Sequence, residues 1–81
     1  MNFPRDYNHC LFNVKVDSFI NKFVLAVSPE HALEQLTMTA GDVEPIMAIH
    51  YITEFGHQKT HDFFKSFGDN WCLKDGMVFY A

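Results

Sequence analysis

Aromatic content is the feature that most constrains how this chain can fold. Nine Phe, three Tyr and one Trp occur within 81 residues. A chain of this length hides only about 60–65% of its surface on folding and is usually marginally stable. Large aromatic side chains are the most direct way to deepen such a small core. We therefore expect a folded domain in which most of the Phe residues pack inside.

Length and composition predict one compact domain covering residues 1–81. Apolar residues make up 48% of the chain and charged residues 20%, a balance typical of folded proteins. The first residues lack the apolar core of a secretory signal, and no apolar stretch approaches the roughly 20 residues that a membrane span needs. We expect a cytoplasmic protein, in the host cell if the chain is phage-encoded, with no membrane association.

The charge balance bears on the choice of partner. Ten acidic and six basic residues give a net charge of −4. This argues against direct nucleic-acid binding, because the affinity of nucleic-acid binders comes largely from neutralising phosphates. A weaker alternative is an RNA-binding sheet with stacked aromatics, but the basic residues are scattered rather than interleaved with the aromatic ones. A protein partner with a basic surface fits the charge better, and a homodimer is also compatible with the sequence.

The first half of the chain predicts a hairpin followed by a helix. Residues 9–17 alternate between apolar and polar side chains, as in a half-buried strand, with Leu11 as the one apolar residue on the polar face. Residues 23–27 form a second strand, and the bend between the two is expected near Asn21 and Lys22. Ser28 as cap, Pro29 in the first turn and Gly41 as terminator predict a helix over 29–40.

The second half predicts a strand, a helix and a hairpin. Residues 42–45 read as a loop and residues 46–55 as a buried strand, with a buried helix as the alternative. Gly56 breaks this run, residues 57–67 form a helix, and Asp75-Gly76 turns a final hairpin. The fold class is therefore α+β, mainly an antiparallel sheet with two helices, in the order β-β-α-β-α-β-β. The predicted core contains Phe12, Val14, Leu25, Leu33, Leu36, Ile49, Tyr51, Phe63 and Phe67.

Two sets of residues could carry chemistry, and each has a simpler explanation. His57 and His61 are four positions apart, so a helix places them on one face where they could share a metal ion. Gln58 stands where a metalloprotease needs its glutamate, and we expect two boundary histidines, with no metal and no cofactor. Cys10 and Cys72 are too few for a disulfide framework. We expect both to be reduced and structural; one bridge between them is the alternative.

The residues expected to bind a partner combine acids with aromatic anchors. Asp42 and Glu44 follow the first helix, and Asp69 follows the second. Phe3 and Tyr7 lie in an N-terminal segment that is unusually aromatic for a disordered leader. Aromatic anchors usually dominate binding energy, while acids at the rim mainly set the association rate.

No catalytic signature is apparent, so we expect a non-enzymatic interaction domain. In length, acidity and lack of a catalytic motif the chain resembles small phage and mobile-element proteins that bind and block a host machine, including anti-CRISPR proteins. The resemblance covers size and charge, and it carries no functional residues over. It implies a stoichiometric inhibitor of a larger host protein or nucleoprotein complex. The alternative is a small metal-binding or regulatory domain organised around His57 and His61.

Overall fold

A computed structural model describes residues 7–81, in which five antiparallel strands form one sheet accompanied by two helices. The predicted α+β class and element order are confirmed. No helix in this part of the chain is long and apolar enough to cross a bilayer. In chain order the elements are β1 His9–Lys15, β2 Asn21–Ala26, α1 Pro29–Gln35, β3 Asp42–Pro45, α2 Ala48–Lys65, β4 Trp71–Lys74 and β5 Met77–Tyr80.

Strand β1 is the centre of the sheet. Along one edge it pairs with β2, from Cys10 opposite Ala26 to the turn. Its other edge is shared: the first residues pair with β5, with His9 opposite Tyr80, and the later ones pair with β3. Strand β4 continues the sheet beyond β5. The strand order therefore leaves neither edge of β1 free.

The two helices cover opposite faces of this sheet, so the core has two halves. On the α1 side the buried residues are Cys10, Phe12, Val14, Ala26 and Ala32. On the α2 side they are Leu11, Ile46, Ala48, Phe64, Val78 and Tyr80. Leu11 was the apolar exception on a face expected to be polar, and it is 0% exposed. The part of that face around Leu11 is covered because α2 packs on it.

Helix α1 is shorter than the predicted 29–40. Ser28 caps it as expected, with its hydroxyl accepting from the His31 amide at 3.1 Å. The helix stops at Gln35 because Thr37 adopts a left-handed backbone with φ 54. The amides of Thr37 and Met38 then close on the carbonyls of Glu34 and Leu33, which is the Schellman pattern. Gly41, predicted as the terminator, lies beyond this end.

The predicted strand over 46–55 is wrong, and so is the loop over 42–45. Residues 42–45 form β3, and α2 begins at Ala48. Ala48, Tyr51 and Ile52 face the core at helical spacing, whereas Ile49, placed in the predicted core, is 58% exposed. The residue types favoured a strand, but the buried positions follow the period of a helix. The alternative of a buried helix is the one that the structure takes.

Gly56 bends α2 sharply. Its φ of 83 and ψ of 172 interrupt the helical backbone, and residues 48–55 and 57–65 form separate segments on either side. The rings of Tyr51 and Phe63 stack with centroids 5.2 Å apart and 9° between their planes. Twelve residues of straight helix would span about 18 Å. The second segment must therefore fold back beside the first, and the predicted break at Gly56 is confirmed.

Both predicted hairpins form, but the first one turns at other residues than those predicted. The first bends at residues 17–20 rather than at Asn21 and Lys22, which pair with β1. The Asp17 carboxylate accepts from the amides of Phe19 and Ile20 and so supplies the turn signal. The second hairpin turns at Asp75 and Gly76 as predicted, with positive φ at both residues, as a tight two-residue turn requires.

Candidate partner-binding surface

An aromatic surface forms where β2 meets the bend of α2. We use this name for Phe23 of β2, Tyr51 and Phe55 of the first segment of α2, and Phe63 of the second. The Phe23 and Phe63 rings meet edge to face at 5.3 Å, and the Tyr51 and Phe55 rings lie 6.1 Å apart. The bend at Gly56 brings Phe63 beside Tyr51, from which a straight helix would separate it.

The aromatic surface is open rather than filled. All four of its rings line a shallow cavity of about 300 Å³, together with Lys59 and Thr60. Phe55 remains 51% exposed and Phe23 38% exposed. Isolated exposed apolar residues are common, but a contiguous group with a concave centre usually marks a site of interaction.

Two of the predicted acidic residues adjoin this surface. The sheet register sets Glu44, Asn13 and Phe23 in one row across β3, β1 and β2. Asp42, Lys15 and Asn21 form the next row. A cavity of about 330 Å³ lies over the polar positions of these rows, and a further cavity is shared by Glu44, Asn13 and Tyr51. Acids and aromatic anchors thus share one face, which we call the aromatic–acidic face.

A third carboxylate belongs to the same face. Glu54 lines a cavity of about 400 Å³ with Phe23, Tyr51 and Phe55. Burial, and secondarily the charge of Glu54, raises the pKa of the Tyr51 hydroxyl. Sequence analysis did not single out Phe23, Glu54 or Phe55 as binding residues. The helical spacing of residues 48, 51, 52 and 55 was the sequence signal that could have placed Glu54 and Phe55 on a helix.

The other predicted anchors lie elsewhere. Asp69 is exposed in the turn before β4, which is at the far edge of the sheet from β2. Tyr7 is half-buried just before β1. Phe3 lies outside the described residues. Of the five residues predicted to bind a partner, the structure therefore brings Asp42 and Glu44 together.

Comparison with protein-family models, curated sequences and solved structures finds no match to this chain. A role must therefore be inferred from the chemistry of its own surface. Its most distinctive part is the aromatic–acidic face, in which exposed rings sit beside carboxylates.

The two histidines line a different cavity, next to β4. His57 and His61 line a cavity of about 360 Å³ with Trp71, and the His61 and Trp71 rings meet at 5.5 Å. Asp62 lies 3.7 Å from His61. Within residues 7–81 no group of three His, Cys, Asp or Glu side chains is arranged to hold a metal ion. The histidine pair alone is half of an ordinary zinc site.

The two thiols lie on different strands and form no disulfide with each other. Cys10 and Cys72 both lie opposite Phe79, one on each side of β5. Two strand spacings, roughly 9.5 Å, exceed the reach of a disulfide, and both cysteines are free. Burial raises the pKa of the Cys10 thiol to about 11 and raises that of Cys72, the latter against the opposing charge of Lys74.

Proposed function

We propose that this chain is a non-enzymatic interaction domain that binds a larger protein through the aromatic–acidic face. In its specific form, the proposal is a stoichiometric inhibitor of the type that phage and mobile elements direct against host machines, as anti-CRISPR proteins are. The observation that carries it is the adjacency of the aromatic surface to Asp42 and Glu44 across the sheet.

The aromatic surface supplies the expected binding energy. Exposed aromatic side chains are the residues that most often dominate protein–protein affinity, and here they surround a concave centre that a partner side chain can enter. A specific interface of standard size needs about 800 Å² per partner and roughly 20–30 residues. A chain of 81 residues can supply such a surface from one face.

Charge supports a basic partner. Asp42, Glu44 and Glu54 are exposed beside the rings and outnumber Lys15 and Lys59, which line the same cavities. The whole chain carries a net charge of −4. Complementary charge of this kind steers the encounter and raises the association rate. Lys or Arg side chains of a partner would also gain from stacking on the exposed rings.

The state of the thiols favours binding over covalent catalysis. A nucleophilic cysteine needs a lowered pKa, and the pKa values of Cys10 and Cys72 are both raised. The raised pKa values keep both thiols protonated near neutral pH, the buried one of Cys10 and the half-buried one of Cys72.

The first test is capture of a partner by matched variants. Wild-type protein, Phe55→Ala and Glu44→Lys are compared, with Glu34→Lys as the control. Glu34 is an exposed residue of α1, on the other side of the sheet, so its reversal changes the net charge equally. We expect Glu44→Lys to slow association, with the loss shrinking as salt rises. Phe55→Ala should instead speed dissociation about tenfold or more, as loss of an aromatic anchor does, and Glu34→Lys should bind normally.

The second test addresses inhibition. Purified protein is titrated into an activity assay of the captured partner, and activity should reach its minimum at equimolar ratio. Equal binding by all four proteins would place the interface away from the aromatic–acidic face. Binding without any change in the partner's activity would retain the interaction domain and rule out the inhibitor.

A further inference from the structure

One cavity of the aromatic–acidic face combines rings with a carboxylate. This cavity, of about 400 Å³, is lined by Phe23, His50, Tyr51, Glu54 and Phe55. Its aromatic walls come from β2 and from the first segment of α2. No Lys or Arg of residues 7–81 lines it. The cavity therefore offers a ligand both aromatic surface and a carboxylate, without competition from a described Lys or Arg inside it.

The rings of this cavity retain accessible surface. Phe55 is 51% exposed and Phe23 is 38% exposed. The centroid of the Phe55 ring lies 6.1 Å from that of Tyr51, and the two planes are tilted by 41°. Phe63 stacks on Tyr51 and holds that ring in place. Because the face of an aromatic ring attracts a cation that comes within about 6 Å of its centroid, these walls suit a positively charged ligand.

The charges around the cavity also favour a cation. Burial first, and the charge of Glu54 second, raise the pKa of the Tyr51 hydroxyl, so this carboxylate acts on the group at the tip of the ring. Glu44 lines a neighbouring cavity together with His50 and Tyr51. Lys59 lines the other adjoining cavity of the aromatic surface. A cation is therefore attracted from the side of the two glutamates and repelled from the side of Lys59.

The chemistry of the cavity distinguishes between kinds of cation. An arginine guanidinium is planar, so it stacks on a ring while two of its N–H groups donate to one carboxylate. A lysine ammonium is a point charge that is more strongly hydrated. A quaternary ammonium has no N–H group and would give the Glu54 oxygens no hydrogen bond. Rings beside an accessible carboxylate therefore match a guanidinium best.

We propose that this cavity receives an arginine side chain of the partner protein. The guanidinium stacks on Phe55 and Tyr51, and the Glu54 carboxylate accepts two hydrogen bonds from it. The apolar stem of the arginine packs against Phe23, as long basic side chains do on apolar surfaces. The arginine site rests on the proposed function, because it names the chemistry of the partner that binds the same face.

Three short peptides test the choice of cation without a partner. Acetyl-Gly-Arg-Gly-amide, its lysine analogue and its trimethyllysine analogue are each titrated into isotope-labelled protein and followed by NMR. The arginine peptide should move the signals of Glu54 and Phe55 most. It should bind about threefold tighter than the lysine peptide or better, because it alone stacks flat and donates to both carboxylate oxygens. Equal binding of these two peptides, tighter binding of the trimethyllysine peptide, or signal changes centred on another face would overturn the arginine site.

Two variants with matched controls separate the carboxylate from the ring. Glu54→Gln removes a charge at constant size, and Glu34→Gln makes the same change on α1. Phe55→Leu removes a ring but keeps apolar bulk, and Phe19→Leu does so at the hairpin turn, where Phe19 is 94% exposed. All four side chains are exposed, so each variant should keep the circular dichroism of the fold. Glu54→Gln and Phe55→Leu should each weaken binding of the arginine peptide about threefold, and the controls should bind as wild type does. Unchanged binding by either cavity variant would overturn the site.

The peptides and a captured partner give separate answers. Capture of a partner that Phe55→Ala weakens, without any binding of the arginine peptide, would keep the proposed function and remove the arginine site. Binding of the arginine peptide at Glu54, with capture unaffected by Phe55→Ala and Glu44→Lys, would support the site and count against the proposed function. In a captured partner, replacing the arginine that enters the cavity with lysine should abolish the further effect of Glu54→Gln, as expected for a coupled pair. Additive effects at every arginine of the partner would overturn the pairing.

Discussion

The hydroxyl of Tyr80 donates a hydrogen bond of 2.5 Å to the backbone carbonyl of Phe64, and both side chains are buried. This bond ties β5 to the last turn of α2. The Cβ of any residue replacing Gly68 would lie 3.1 Å from the Tyr80 ring, so the chain passes close to the ring as it leaves the helix. Tyr80 thus fixes where α2 ends relative to the sheet.

Replacing Tyr80 with Phe should lower the free energy of unfolding by about 0.5–1.5 kcal/mol, the usual net value of one hydrogen bond. The loss should be moderate because the Phe64 carbonyl still accepts from the Phe67 amide at 3.2 Å. Urea denaturation measures the change. An unaltered midpoint would show that the hydroxyl contributes nothing to stability.

Alkaline pH should unfold the protein through two buried groups. Burial raises the pKa of Cys10 from 9.0 to about 11 and that of Tyr80 from 10.0 to about 12. Since the folded state holds these protons more tightly, their contribution is complete below about pH 9 and is lost as pH rises towards 12. Denaturation midpoints across this range should fall for wild type. A Cys10→Ala, Tyr80→Phe double variant should show a shallower decline, and an identical slope would count against this origin.

Gly56→Ala should destabilise the fold by about 1–3 kcal/mol, the range for a residue forced into a sparsely populated backbone region. The cost is purely conformational, because a Cβ at this position would meet nothing within 4 Å. Thermal or urea unfolding gives the value. His57→Ala, at the neighbouring exposed position, serves as the control and should change stability by less than about 0.5 kcal/mol. Similar effects for the two variants would argue against a strained bend.

Leu11→Ala should cost about 2–5 kcal/mol, as truncation of a buried leucine does. Leu73→Ala is the matched control, because Leu73 is also a strand residue but is 49% exposed. Its truncation should cost far less. Chemical denaturation of the two variants therefore tests whether α2 covers the sheet face that carries Leu11, and equal losses would contradict that arrangement.

Thr60→Val should leave stability unchanged or raise it by about 1 kcal/mol. The Thr60 side chain is 3% exposed, and its hydroxyl has no hydrogen-bond partner in the part of the chain that the structure describes. Valine has the same shape without the buried polar atom. Thr53→Val, at an exposed position of the same helix, should be neutral. A clear loss at Thr60 alone would mean that its hydroxyl is hydrogen-bonded after all.

The sequence correctly predicted helix ends and turns that depend on one or two local residues. Ser28 with Pro29, Gly56 and the Asp75-Gly76 pair each act through their own backbone geometry, and each lies where it was expected. The end of α1 was misplaced because Thr37, a residue that rarely adopts a left-handed backbone, ends the helix before Gly41.

The binding surface was predicted in part, since it depends on tertiary contacts. Asp42 and Glu44 were chosen as candidate acids from their charge and their position after the first helix. Their aromatic neighbours were not, because Phe23 comes beside them through sheet register and Phe55 through the bend at Gly56. The residue types of 46–55 favoured a strand, and tertiary packing of the helical stripe outweighed that preference.

His9 at the start of β1 pairs with Tyr80 at the end of β5. The sheet can therefore be completed only after β5 has been synthesised. Synthesis proceeds from the N-terminus, and domains complete their folding only when all their parts have emerged. Strand β1 can pair with β2 early, since a short turn joins them, but α2 and β5, which complete the cover of Leu11, emerge much later. The nascent hairpin therefore carries an uncovered apolar face until α2 and β5 have emerged. This period is when the protein most needs protection from aggregation.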